Sequence, residues 1–189
     1  MNQALDKELV EINSLVVALS EESLAVSPQD FIAVGSSDRK RPGLYSWWVD
    51  EDGAQKLTFG LGHQLPMGMI YAGLAGATRW PSGNQSSNTL WLRITKMHLG
   101  SNNKVSTFRH TLGAILANAE QSEAINEGAL TNWMQSHLKV FVLPYHDADS
   151  LGRVEEAVLA ELNPPLNLKG MIRTPLRREL TELRRRVVR

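Results

Sequence analysis

Two charged side chains in this chain sit where a helix could hold them at the rim of a cleft. Across residues 150–162, Leu151, Val154, Val158 and Leu162 recur at steps of three and four, so they share one apolar face. Glu155 falls about 40° from Leu151 on that wheel, at the edge of the stripe, whereas Glu156 points well away into solvent. A carboxylate so placed can hold a Mg²⁺ ion that keeps several of its waters. Arg93 stands in the same way beside a Leu90, Ile94 and Met97 stripe. Its guanidinium is a rigid fork suited to phosphate oxygens. A third cluster, His146-Asp147-Ala148-Asp149, looks like metal ligands. It lies between a proline and a helix start, where turn and capping chemistry accounts for it better.

Competing chemistries are thin. The chain has no cysteine, which removes disulfides, thiolate zinc sites and thiol catalysis. It has no P-loop, no His-x-x-x-His helix and no Gly-x-Ser-x-Gly elbow. Hydrophobic residues make up 42% and charged residues 21%, the balance of a soluble globular domain. The 20 Lys and Arg match the 20 Asp and Glu, so overall charge does not point to nucleic acid. The distribution is less even: from Lys169 to Arg189 seven Arg and one Lys face only Glu179 and Glu182. A basic end on a balanced chain suggests a local contact surface. The N-terminal residues lack the apolar core of a signal peptide. No run approaches the ~18 apolar residues of a membrane span. The expected location is the cytoplasm, with no membrane partner.

Periodicity supplies the elements that would position these groups. Leu5, Leu9, Ile12, Val16 and Leu19 predict an amphipathic helix over 4–20. Residues 27–42 read as a polar loop with a short apolar piece at Phe31–Val34. Gly43–Val49, 69–74 and 138–143 are rich in aromatic and β-branched residues and read as strands. The Gly-rich segment between the first two strands, and residues 75–88, read as loops. Helices are predicted from Thr89 to about Leu99, over about 106–119 with Ser106 as N-cap, over about 123–136, and over 150–162. A last helix starts at Thr174-Pro175, with Leu176, Leu180, Leu183 and Val187 as its stripe. Two adjacent strands followed by mixed helices predict an α/β (α+β) fold with a small, mainly antiparallel three-stranded sheet flanked by helices.

The triplets Gly43-Leu44-Tyr45 and Tyr71-Ala72-Gly73 on the first two strands resemble the two halves of the GIY-YIG nuclease signature. Arg93 on the following helix, Glu155 opening a late helix, and Asn167 twelve residues later behind Pro164-Pro165 follow in the order of that superfamily. His98-Leu99-Gly100, Ser106-Thr107-Phe108-Arg109 and the Pro164–Arg177 segment look like an uncharacterised bacterial branch of it. Leu74 stands where many relatives carry Lys, so a helper cation is missing or supplied elsewhere. Met97 stands where relatives carry His or Tyr four residues after the Arg, and His98 is the nearest candidate.

The resemblance implies a DNA endonuclease that hydrolyses phosphodiester bonds with Mg²⁺ or Mn²⁺ held at Glu155. Tyr45 and Tyr71 would lie side by side. One of them, or His98 acting with it, would take a proton from the attacking water. A phenol titrates near ~10, so that role needs positive charge from Arg93 or the metal. Asn167 would orient a catalytic group or the backbone. Arg109, His110, Arg177 and Arg178 are expected to contact duplex or branched DNA. Extension residues 1–40, a catalytic domain over 41–170 and a basic helix over 171–189 packed on it complete the expected organisation. A catalytically inactive nucleic-acid-binding module of the same fold is the alternative. A homodimer able to cut both strands is a further option.

Overall fold

A computed structural model describes the backbone of residues 2–35 and 37–187 and the side chains from residue 6 on, leaving Leu5 and Arg189 outside the described side chains. Its centre is a three-stranded antiparallel sheet in the order β2-β1-β5, with β1 at Gly43–Val49, β2 at Gly68–Ala75 and β5 at Leu138–Pro144. All seven residues of β1 are buried, because helices cover both faces. On one face α1 (Asn2–Leu19) and α7 (Leu151–Leu162) close over Leu44, with Leu19, Leu151, Val154 and Val158 as the core. The other face carries Tyr45, Trp47 and Val49. It packs against α3 (Glu51–Leu61), α5 (Thr107–Ala119), α6 (Glu127–His137) and α8 (Pro175–Arg186). The predicted class and sheet are those observed. Among the described residues no helix is long and apolar enough to cross a membrane.

The register places the two triplets against each other. Tyr45 opposes Gly73 and Trp47 opposes Tyr71, so the two tyrosines are diagonal neighbours on one face. Their rings stack with centroids 6.4 Å apart.

Two segments expected to be loops are helical. Residues 28–34 form α2 (Pro28–Val34), capped by the Ser27 hydroxyl on the Asp30 N–H, with Pro28 in the first turn. Buried Phe31 anchors this helix by stacking on Trp91, while the Arg39 guanidinium lies 4.2 Å over its ring. The Gly-rich stretch after β1 forms α3, started by the Asp50 carboxylate on the Gly53 N–H at 2.7 Å and stopped by Gly62 at φ +67°. Its internal Gly60 is there for packing. A Cβ would collide with the Ile115 carbonyl of α5, so glycine lets the two helices approach closely. Residues 75–88 contain a small hairpin, β3 (Thr78–Arg79) and β4 (Asn84–Gln85). The helix predicted over about 123–136 starts later, at Glu127, where the Asn126 side chain caps the Ala129 N–H.

The predicted helix over 89–99 is only partly regular. Thr89 caps α4 (Leu90–Leu92), and Arg93–His98 then continue as a π-helical turn closed by the Leu99 N–H on the Ile94 carbonyl at 2.9 Å. An α-helix bonds four residues back and a π turn five. The one-residue expansion turns His98 to the side that a regular helix would give to position 97. This is how His98 reaches the sheet although Met97 stands four residues after Arg93.

Candidate active site

Gly73 lies at the middle of the site. A Cβ built on it would stand 2.7 Å from the Tyr45 hydroxyl and 3.6 Å from Glu155 Oε1. The missing side chain is therefore the space in which the phenol from β1 and the carboxylate from α7 face each other. Replacing Gly73 by Ala is expected to push the Tyr45 ring aside and lower activity by about 100-fold, the scale of a catalytic group displaced by about 1 Å. Stability should also fall by about 1–3 kcal/mol, because the buried Tyr45 ring must give way; an active Gly73→Ala enzyme would show that the space is not used.

Each neighbour is fixed by its own element. Tyr71 on β2 stacks on Phe108 of α5 with centroids 4.6 Å apart. His98 is buried between Tyr45, Trp47 and Phe108. Its Nε2 is 2.9 Å from the Tyr45 hydroxyl and its Nδ1 is 2.7 Å from Ser106 Oγ. Glu155 is partly buried on α7, as its place at the stripe edge predicts. Arg93 is partly exposed, and among the described residues no carboxylate pairs with it and its Nε has no partner.

Burial sets the proton affinities of the cluster. It holds Tyr45 well above 10, with the Tyr71 and Glu155 charges adding and Arg93 opposing. It pushes Tyr71 up to about 12, with Glu155 adding and Arg93 and Arg184 opposing. It drives His98 well below 6.5, helped by the Arg93 charge. Glu155 is raised to about 7 by burial, against Lys169, the Leu74 N–H and Arg93. The Arg93 charge acts on all four groups. At neutral pH the resting cluster holds two protonated phenols, a neutral imidazole and a half-ionised carboxyl.

Asn167 does structural work beside the site. Its Oδ1 accepts the Ala72 N–H at 3.1 Å and its Nδ2 donates to the Ala72 carbonyl at 2.8 Å. It thereby fixes the peptide between Tyr71 and Gly73. The preceding Leu166 N–H bonds the Ile70 carbonyl, so this segment runs alongside β2.

Three of the four expected DNA contacts are corrected by the structure. Arg109 is fully buried and bonds Glu127, Thr131 and the His98 carbonyl. His110 is buried, with Nε2 on the Arg184 carbonyl. Arg177 is buried and bonds the carbonyls of Pro164, Asn167 and Ile172 and the Asn163 side chain. These groups brace the site from inside and present no donor to an outside ligand. Arg178 is exposed. Periodicity could not make the distinction, since a buried and a solvated Arg look alike in sequence. Sequence reading also missed Lys169, counted there only as part of a basic tail, and Ser106, seen only as a cap.

The family model described as GIY-YIG catalytic domain matches residues 43–186 of this chain. No curated protein and no solved structure gives a significant match.

Proposed function

The chain belongs to the GIY-YIG catalytic-domain family, a nuclease family, and on that basis we propose that it is an endonuclease hydrolysing DNA phosphodiester bonds with a divalent metal at Glu155. The observation that carries this reading is the meeting of Tyr45, Glu155 and the Arg93 field around the open space at Gly73.

The donor set fits Mg²⁺ or Mn²⁺. Among the described residues no three His, Cys, Asp or Glu side chains gather into a cage, as zinc or a buffered calcium ion would require. A lone carboxylate suits a cation that keeps several waters and shares its remaining positions with phosphate oxygens. Bound there, such an ion would acidify a water and polarise the phosphate. The residues of the chain do the rest. Arg93, with unused donors, clamps the phosphate in a fork. Tyr45 and Tyr71 stand protonated, with the Tyr45 hydroxyl turned toward Tyr71. Either becomes a proton acceptor only when added positive charge offsets its burial. Asn167 holds the Ala72 peptide and so the spacing of Tyr71 and Gly73. Exposed Arg178 extends the surface toward the nucleic-acid backbone, adding affinity without reading sequence.

The test is nicking of supercoiled plasmid with Mg²⁺ and Mn²⁺. Wild type is expected to nick, and Arg93→Ala to lose about 100- to 1000-fold in turnover, the scale of one lost charge-stabilising donor. Protein that binds DNA yet never cuts it with any divalent ion would leave a binding module in place of an enzyme.

A further inference from the structure

The direction of the hydrogen bonds through Ser106, His98 and Tyr45 is fixed by one backbone amide. Ser106 is the N-cap of α5, and its Oγ accepts the Arg109 N–H at 3.0 Å. The side chain is 2% exposed, and its hydroxyl has one other polar partner, His98 Nδ1 at 2.7 Å. A hydroxyl carries one hydrogen. If Nδ1 carried a proton and donated it, the Ser106 hydrogen would be buried with no acceptor. The hydroxyl therefore donates to Nδ1, and the imidazole proton resides on Nε2. That proton points at the Tyr45 oxygen 2.9 Å away. Tyr45 accepts it, so its own O–H is directed elsewhere, toward Tyr71 on the neighbouring strand, beside the space above Gly73 that Glu155 also faces.

We propose that Ser106 is a positioning residue that locks His98 as the Nε2–H tautomer, so that His98 donates to Tyr45 and turns the Tyr45 proton away from the imidazole, toward Tyr71. The relay runs from the α5 cap outward. His98 takes no proton from Tyr45; its N–H supports negative charge on the phenol oxygen. Two further contacts hold the ring in place. The π-helical turn sets His98 toward the sheet, and the Arg109 guanidinium donates to the His98 carbonyl at 3.3 Å. The catalytic consequence rests on the phosphodiesterase reading above, but the tautomer stands without it.

The direct test is long-range ¹H–¹⁵N correlation of the histidine rings in the full-length wild-type protein near pH 7, with His98 assigned by loss of its signals in His98→Gln. The expected pattern is a protonated Nε2 and a bare Nδ1. A protonated Nδ1, alone or with Nε2, overturns the proposal whatever the enzyme cleaves. Two variants that keep the cap separate position from packing. Ser106→Thr retains a donor and should keep the Nε2–H pattern and most of the turnover. In Ser106→Asp the carboxylate can cap α5 yet cannot donate. It should move the proton to Nδ1 and lower kcat by about 10- to 100-fold with KM little changed, as loss of an outer partner of a functional histidine does. A protonated Nε2 with a still bare Nδ1 in Ser106→Asp would also overturn the assignment. A wild-type protein with the expected tautomer but no nicking would remove the proposed activity and leave the tautomer lock standing.

Discussion

Glu155→Gln is expected to abolish metal-dependent nicking, by more than about a thousandfold, and at the same time to make the metal-free protein more stable above pH 7. The first effect is the loss of the only carboxylate proposed to hold the ion, a contribution of several kcal/mol to the transition state. The second follows from the same burial. The Glu155 carboxyl has an ordinary value of 4.5 and is raised to about 7 in the fold. Between those values the unfolded chain has released the proton while the folded chain retains it. Stability therefore falls as pH rises through this window, and the loss is complete above about pH 7. Glutamine has no such proton, so the variant escapes a penalty of about 3 kcal/mol in the metal-free state. Mg²⁺ should reverse the order by stabilising wild type alone. Metal affinity should also weaken below pH 7, where the ion must displace the proton. Thermal unfolding of both proteins at pH 5 and pH 8, with and without Mg²⁺, checks all of this. Equal melting temperatures at both pH values, with no Mg²⁺ effect, would remove Glu155 from the site.

Arg109→Ala should lower stability by about 3–5 kcal/mol, because it empties a buried charge site and strands its partners. The guanidinium has 0% exposure and bonds Glu127 Oε2 at 2.7 Å, Thr131 Oγ1 at 2.7 Å and the Glu127 carbonyl at 3.0 Å. In a chain of this size such a loss lowers Tm by roughly 10 °C or more. Any fall in DNA affinity should track the unfolded fraction, and the slope of log affinity against log salt should not change. A phosphate contact would instead reduce that slope by about one. A stable Arg109→Ala protein with a shallower salt slope would reinstate the surface role.

The elements that periodicity could read are those with a clear inside and outside. β1 was legible because its seven residues are all aromatic, apolar or small, and it is the strand buried on both faces. α7 and α8 were legible from their stripes, and the α7 stripe also separated Glu155 from Glu156. α3 was not legible, since Gly53 and Gly60 read as loop residues although they are helix contacts with Val49 and Ile115. Tertiary packing overrode the low helix propensity of glycine. The Ser27-Pro28 start of α2 was present but lay in a polar stretch that hid it. For the candidate site, the resemblance to the nuclease signature picked out Tyr45 and Tyr71, and the apolar stripes of two helices set Arg93 and Glu155 at their borders. Two features needed coordinates: the π-helical turn that brings in His98, and the Lys169 charge acting on Glu155 from the segment beside β2.

That segment has a consequence for how the molecule behaves among its own copies. β2 lies at the border of the sheet, and a bare border strand is a template on which another chain can add. Here the Leu166 amide occupies the Ile70 carbonyl, and the Asn167 carboxamide mimics a strand by bonding both backbone atoms of Ala72. The middle of the rim is thus sealed from within. Asn167 is also a guard against intermolecular sheet extension, and its loss would invite aggregation as well as misplacing Tyr71.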